Sequence, residues 1–283
     1  MPRLLIMLVI TLGLTLSCGG PKRETLQQKI REGKITVEQA FEKGMKLIQD
    51  RRYQDARQWF RLIEAHAPQS KYFSTSKLKI ADSYFFDRMA TYIEASVEYK
   101  SFLTHFPTHP KADYAQYQYA MCFFTEIESA DRDQTSTWTA YTEFKNLIDR
   151  FPRSVYAEKA RDKVALCQQR LAEHEFTVGY YYFRRGRGFE ISAESRFKGI
   201  IDNYESTFDE EKTYFYLAET LWRRQKYKEA HTYYTFLERN HPESEYRPFI
   251  IDKLARYQRI ERDGVDPGEI AGEADPIRDS GLQ

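Results

Sequence analysis

Apolar and polar positions follow a helical period along most of the chain, and one spacing of residues recurs five times. In each copy an alanine is followed by an aromatic residue four positions later and an apolar residue three positions further, and in four copies a proline stands five positions beyond that. The alanines of the five copies are Ala56, Ala95, Ala140, Ala193 and Ala230. Only the fourth copy lacks the proline, having Glu205 instead. Repetition on this scale is typical of arrays of small helical units.

The spacing within each copy predicts the second helix of a helical hairpin. Residues four and three apart lie on one face of a helix, so the alanine and the aromatic ring face the same neighbour. The proline cannot continue the helix and therefore ends it. Small residues also stand twelve positions before the first and last alanines, at Gly44 and Ala218. These offsets resemble the tetratricopeptide consensus, so we predict an all-α superhelical array of five tetratricopeptide-like helical hairpins with a capping helix.

Segments outside the repeats complete the predicted organisation. Repeats 1–3 occupy residues 36–157, and residues 158–246 hold a joining helix and repeats 4 and 5. Residues 154–178 contain no helix breaker, so we predict that the joining segment is one long or slightly broken helix. Residues 247–262 have a helical pattern that we predict to cap the array, since terminal repeats need a covered face. Residues 263–283 are acidic, rich in glycine and proline, and without period, which predicts a disordered tail.

The amino terminus has the pattern of a secretory signal. Its apolar run, residues 4–16, is 13 residues long, whereas a membrane-spanning helix needs about 20. Arg3 precedes the run and small residues follow it, so we predict a signal peptide over residues 1–17. With Cys18 and Gly19 next, the segment resembles a bacterial lipoprotein signal, which implies a lipidated tether over residues 18–35 and an outer-membrane anchor on Cys18. An ordinary cleaved signal with a coincidental cysteine is the alternative.

The charge balance limits the possible partners, and the cysteine content limits the possible disulfide bonds. The chain has 43 basic and 42 acidic residues, so no overall field attracts nucleic acid, and we expect no nucleic-acid partner. Cys122 and Cys167 are the other cysteines. An oxidising compartment would permit a bridge between them. Both lie in apolar helical patterns, so we favour two buried free thiols.

Motifs for catalysis or cofactor binding are weak. His105 and His109 are separated by Pro107, which breaks the helix that would align them as metal ligands. Gly186 and Gly188 flank one arginine and lack the lysine and hydroxyl of a phosphate loop, so we predict a helix end there. His174-Glu175 lacks the second histidine of a metalloprotease. We therefore expect no enzyme activity, no cofactor and no metal site.

Two groups of residues are candidates for binding. Aromatic residues gather around the second repeat, and the candidate groove residues are Tyr72, Tyr84, Tyr114 and Tyr117. The alternative is that most of these rings fill the core, as aromatic residues at helical spacing usually do. Repeat 4 is locally basic through Arg184, Arg185, Arg187, Arg196 and Lys198. These cations form either a solvated face or a docking face for a partner's carboxylates.

Beyond the repeat pattern, residues 36–246 resemble one family. The carrying motifs are Pro107-Thr108-His109-Pro110 with Asp113-Tyr114, Asp131-Arg132-Asp133, Arg170-Leu171-Ala172 with Glu175 and Val178, Tyr181-Tyr182, Arg185-Gly186, and Arg196 with Gly199. They are similar to the BamD, or ComL-type, lipoproteins of the machinery that inserts β-barrels into bacterial outer membranes. The resemblance is most specific within the joining helix, because many scaffolds share the repeat consensus.

The resemblance implies a non-catalytic, lipid-anchored subunit on the periplasmic face of the outer membrane. Its carboxyl-terminal repeats would dock on the barrel-forming subunit, with Arg185, Arg196 and Gly199 as the partner-binding residues. Its amino-terminal repeats would receive unfolded outer-membrane proteins in the tyrosine groove, and other accessory lipoproteins would be further partners. The alternative is a tetratricopeptide lipoprotein that serves as a scaffold for cell-wall or secretion complexes.

Overall fold

All regular secondary structure that the computed structural model describes, over residues 32–204 and 208–264, is helical. The helices are α1 (Val37–Gln49), α2 (Tyr53–His66), α3 (Phe73–Phe85), α4 (Tyr92–His105), α5 (Ala112–Phe124), α6 (Thr135–Arg150), α7 (Val155–Arg185), α8 (Glu190–Asn203), α9 (Glu210–Arg223), α10 (Tyr227–Asn240) and α11 (Arg247–Asp263). None of these helices is both long enough and apolar enough to cross a membrane. The predicted signal peptide, Cys18, most of the tether and the tail after Gly264 lie outside the described residues.

Each helix packs against the next one along the chain, from α1 through to α11. The result is an array of antiparallel hairpins, α1–α2, α3–α4, α5–α6, the second half of α7 with α8, and α9–α10, followed by α11 against α10. This is the predicted all-α, tetratricopeptide-like array. Because packing partners are near in sequence, each repeat contacts chiefly its neighbours, as in other solenoid proteins.

The recurrent alanine and aromatic positions form the centre of the core. All five alanines are completely buried, and so are the rings that follow them by four residues: Phe60, Tyr99, Phe144, Phe197 and Tyr234. The small residues on the preceding helices make room for these rings. A Cβ placed on Gly44 would lie 2.7 Å from Cε1 of Phe60, closer than packed carbons approach. The repeat pattern is therefore a packing pattern between the two helices of each hairpin.

Helix α7 connects the two halves of the array without a break. It runs for 31 residues from Val155 to Arg185, so of the two predicted forms, one long helix or a slightly broken one, the structure has the long helix. Ala160 and Cys167 pack into a core cluster with α5 and α6, whereas the residues from Leu171 onward pack into the cluster formed by α8–α11. The predicted boundary between residues 157 and 158 therefore lies inside a rigid element that both groups of repeats share.

Local predictions at Gly186 and at the cysteines are confirmed. Gly186 follows the last residue of α7 with φ of 74°, a left-handed backbone angle that favours glycine. Cys122 and Cys167 are buried free thiols. Burial raises the pKa of each thiol to about 12, so both stay protonated and unreactive at neutral pH.

Candidate partner-binding surfaces

Arg196 on α8 forms an ion pair with Glu175 on α7. Its Nη1 donates to both carboxylate oxygens, at 2.8 Å and 2.7 Å. The pair is half-exposed, with 41% of the arginine side chain and 26% of the glutamate side chain accessible. A guanidinium has five N–H donors, and all hydrogen bonds to Arg196 from the described residues use Nη1. The remaining donors of Arg196 can therefore serve a second carboxylate.

Gly179 allows α7 and α8 to approach each other beneath this pair. A Cβ on Gly179 would lie 2.9 Å from Cε1 of Phe197 and 3.1 Å from Cβ of Arg196. No larger residue fits without a shift of the buried ring or of the neighbouring helix. The close approach at Gly179 thus fixes the position of the Arg196 Cβ relative to α7. The contact between Gly179 and Arg196 depends on the register between two helices, which a local sequence pattern does not contain.

Gly199 lies one turn after Arg196 on the same face of α8. A Cβ at this position would meet no heavy atom within 4 Å. The packing of this chain therefore does not require glycine here, although glycine in the middle of a helix costs about 1 kcal/mol relative to alanine. The bare backbone beside Arg196 is a place where another polypeptide can come close.

Arg185 lies at the other end of the same helical hairpin. It is exposed in the last turn of α7, where its Nη1 donates to the hydroxyl of Tyr181 at 2.7 Å. Its guanidinium carbon lies 4.8 Å from the ring centre of Phe189. Ten residues separate Arg185 from Glu175, about 15 Å along a helix. The predicted partner-binding residues thus form two separate points, Arg196 with Gly199 and Arg185 with its aromatic neighbours.

Lys198 belongs to an internal charge cluster centred on Glu194. The carboxylate of Glu194 is 8% exposed and accepts hydrogen bonds from Lys198, Lys226 and Arg224. Burial alone would raise the pKa of Glu194, but these three cations lower it to about 2. The cluster ties α8 to the turn between α9 and α10. Lys198 therefore stabilises the fold through Glu194, and it is a weaker candidate for docking than Arg196.

Acid should destabilise the protein through this cluster. The folded-state pKa of Glu194, about 2, lies below its ordinary value of 4.5, so its contribution is complete above pH 4.5 and is lost as the pH falls toward 2. We expect Glu194→Gln to lower the urea midpoint at pH 6 by much more than it does near pH 2.5. An equal difference between the wild type and the variant at both pH values would contradict this account.

The first two tyrosines of the candidate groove contact the first repeat. The Tyr72 hydroxyl donates to Glu38 Oε1 at 2.6 Å, and the ring stacks on Phe41 with centroids 4.8 Å apart. The Tyr84 ring lies beneath the guanidinium of Arg57, 4.3 Å from its carbon. Both rings are half-buried against the core cluster of α1, α2 and α3. They contribute to packing and also leave part of each ring accessible.

The other two tyrosines pack further along the array. The Tyr114 hydroxyl donates to Asp82 Oδ1 at 2.9 Å, and burial and the nearby Asp82 carboxylate raise its pKa. The Tyr117 ring packs beside Phe144 and Tyr156. Tyr114 joins the core cluster of α3–α5, whereas Tyr117 joins that of α5–α7. The four tyrosines therefore pack against three successive core clusters.

Comparison with protein families identifies the chain. The family profile described as YfiO, outer membrane lipoprotein, matches residues 34–235. The chain belongs to the YfiO family. The matched range begins just before α1 and ends within α10, so it includes every candidate residue except Cys18.

Relatives from several bacteria share one name, outer membrane protein assembly factor BamD. The relative from Caulobacter vibrioides is 28% identical over 219 residues, which cover 77% of this chain and 69% of that protein. The relative from Neisseria gonorrhoeae is 29% identical over 256 residues, covering 87% and 93%. A solved thermophilic TPR protein from Thermus thermophilus has a TM-score of 0.36 and 15% identity, covering 79% of this chain and 97% of that one.

Among the described residues of this YfiO-family chain, no group of three or more histidine, cysteine or acidic side chains is arranged to hold a metal ion. The structure instead gives prominence to Glu175, which the sequence marked only as part of a motif. Glu175 determines the direction of the Arg196 guanidinium, because it is the carboxylate that Arg196 binds. The sequence shows that Glu175 carries a negative charge on the helix before α8. Its pairing with Arg196 spans 21 residues, so a local pattern does not reveal it.

Proposed function

We propose that this chain is an outer membrane protein assembly factor that docks on the barrel-forming subunit through repeat 4. The observation that carries the proposal is the half-exposed Arg196, held by Glu175 and flanked by the open backbone at Gly199. A carboxylate of the partner would bind the outer donors of Arg196, since arginine suits such charge-assisted contacts. Arg185 would form a second contact about 15 Å along the same hairpin.

The proposal extends to the anchor and to the substrates. Lipidation of Cys18 would hold the array at the periplasmic face of the outer membrane and raise its effective concentration at the partner. Unfolded outer-membrane proteins would contact the accessible faces of Tyr72, Tyr84, Tyr114 and Tyr117. Extended chains gain specificity from pockets for alternate side chains, and rings spread over α3 and α5 suit such binding. Other accessory lipoproteins would be further partners, and the chain itself would perform no catalysis.

A pull-down of the tagged chain from detergent-solubilised outer membrane tests the docking proposal. We expect Arg196→Glu to reduce recovery of a stoichiometric barrel-forming partner at least tenfold, because losing one charge-assisted contact costs roughly 1.5–3 kcal/mol. Arg161→Glu is the matched control, since Arg161 is an exposed arginine on the amino-terminal half of α7. Arg196→Gln separates loss of the contact from repulsion by Glu175.

Thermal unfolding of each variant shows whether the array remains folded. Full recovery of the barrel-forming partner by folded Arg196→Glu would refute docking through this residue. Recovery of cell-wall or secretion proteins, with no barrel-forming partner, would favour the scaffold alternative.

A further inference from the structure

A pocket of about 340 Å³ lies between α5, the loop after it and the middle of α7. Its walls are lined by Phe124, Ile127, Leu166, Gln169, Arg170 and Glu173. The α7 residues recur at intervals of three and four, so they form one stripe along the helix. Leu166 is 48% exposed within this stripe, although leucine has no polar atom to offer water. The volume lies within the range of small binding pockets.

The loop between α5 and α6, which contributes Ile127 to the pocket, is held by hydrogen bonds to α7 and to the start of α6. His174 Nδ1 donates to the carbonyl oxygen of Ala130 at 2.6 Å, which ties the loop to α7. The buried amide of Gln134 donates to the carbonyl oxygens of Ser129 and Arg132. The loop connects the two helices of the third repeat. These bonds order the loop, and Ile127 lines the same pocket as Leu166.

A lysine beside the pocket favours a ligand with a carboxylate. Lys163, one turn before Leu166, places Nζ 4.3 Å from the centre of the Phe124 ring. Among the described residues Lys163 forms no ion pair, whereas Arg170 is paired with Glu173 at 2.7 Å. A carboxylate brought to the Phe124 side of the pocket would thus bind a half-buried, uncompensated ammonium group.

The pocket is distinct from the proposed docking point on Arg196. Glu173 lines the pocket and Glu175 binds Arg196, and residues two apart on a helix point about 200° from each other. The two features therefore lie on opposite sides of α7. A ligand of the pocket would therefore bind residues that have no part in the docking proposal.

We propose that this pocket binds a large apolar side chain of a partner polypeptide that carries a carboxylate on a neighbouring residue. The apolar side chain would contact Phe124, Ile127 and Leu166, which removes their exposed surface from water. The neighbouring carboxylate would bind Lys163. Recognition by an apolar anchor with a charged neighbour is common in peptide-binding grooves. The inference stands whether or not Arg196 contacts a barrel-forming subunit.

Fluorescence anisotropy with labelled synthetic peptides tests this inference on the full chain. The probe has one central phenylalanine flanked by aspartates, and two comparison peptides carry lysines as flanks or alanine at the centre. We expect the aspartate-flanked phenylalanine peptide to bind most tightly. Leu166→Asp should weaken it at least tenfold. Lys163→Glu should reverse the preference, so that the lysine-flanked peptide binds better than the aspartate-flanked one.

Val155→Asp is the matched control, because Val155 is an exposed apolar residue at the start of the same helix, outside the pocket. Its affinity for the probe should equal that of the wild type. Three results would overturn the inference: no binding at millimolar peptide, equal weakening by Val155→Asp and Leu166→Asp, or an unchanged charge preference in Lys163→Glu. Self-association of the wild type that Leu166→Asp abolishes would assign the pocket to a second copy instead.

Discussion

Glu219→Gln is expected to lower the free energy of unfolding by about 3–5 kcal/mol, the usual cost of removing one partner from a buried ion pair. Glu219 is completely buried on α9, and its Oε2 lies 3.2 Å from Nζ of Lys253 on α11. Its Oε1 accepts a hydrogen bond of 2.6 Å from the Tyr234 hydroxyl on α10. One carboxylate therefore holds the last three helices together.

The loss of stability arises mainly because the charge of Lys253 is left unpaired. Among the described residues, Lys253 contacts no other carboxylate. Its side chain is 7% exposed, and its ammonium group lies 4.9 Å from the Trp222 ring centre. A cation–π contact of this kind supplies about 1–2 kcal/mol, less than a buried charge loses with its partner. The variant should relieve the loss by moving α11 away from repeat 5. We therefore expect increased proteolysis at α11 before global unfolding.

Urea unfolding with a double-mutant cycle measures the effect. Lys253→Met in the Glu219→Gln background should recover most of the stability, because it removes the unpaired charge while keeping apolar volume. Asp55→Asn is the control, since the Arg52–Asp55 pair is exposed and such pairs contribute about 0–1 kcal/mol. Additive losses for the two variants of the buried pair would show that Glu219 and Lys253 act independently, contrary to this account.

The array could be predicted from sequence because its determining contacts are local. Ala56 and Phe60 lie on one helix, and Gly44 lies only twelve residues before Ala56, so their spacing can be recognised along the chain. A two-helix unit stacked on its neighbours needs little else. For the same reason the sequence predicted the capping helix from its apolar period, and the joining helix α7 from the absence of helix breakers.

Polar contacts between helices could not be predicted in this way. Glu219 and Lys253 are 34 residues apart, and Arg196 and Glu175 are 21 apart. Which charges meet depends on the rotation and register of neighbouring helices, and a local pattern contains no information on either. Tyr114 is a further case, because its bond to Asp82 follows from the alignment of α3 with α5. The candidate binding residues were thus predictable as positions but not as contacts.

The same substitution at two nearby glycines should have opposite effects on stability. Gly179→Ala places a methyl group 2.9 Å from the fully buried Phe197 ring, and overpacking of this kind costs about 1–3 kcal/mol. This cost should exceed the gain in helix propensity, about 1 kcal/mol. Gly199→Ala meets no heavy atom within 4 Å, so only the gain in propensity should remain. Gly44→Ala should destabilise more than Gly179→Ala, because Phe60 lies at 2.7 Å.

Urea midpoints of the three alanine variants measure this order, and Phe197→Leu in the Gly179→Ala background should recover part of the loss. Stabilisation by Gly179→Ala would mean that α7 and α8 separate without cost. Gly199→Ala also separates folding from docking. Under the proposed docking mode, its methyl group would keep a partner's backbone away from Arg196. A variant that is more stable yet recovers less of the barrel-forming partner would show that the interface, and not the fold, requires glycine at position 199. Unchanged recovery would show that Gly199 is not part of the interface.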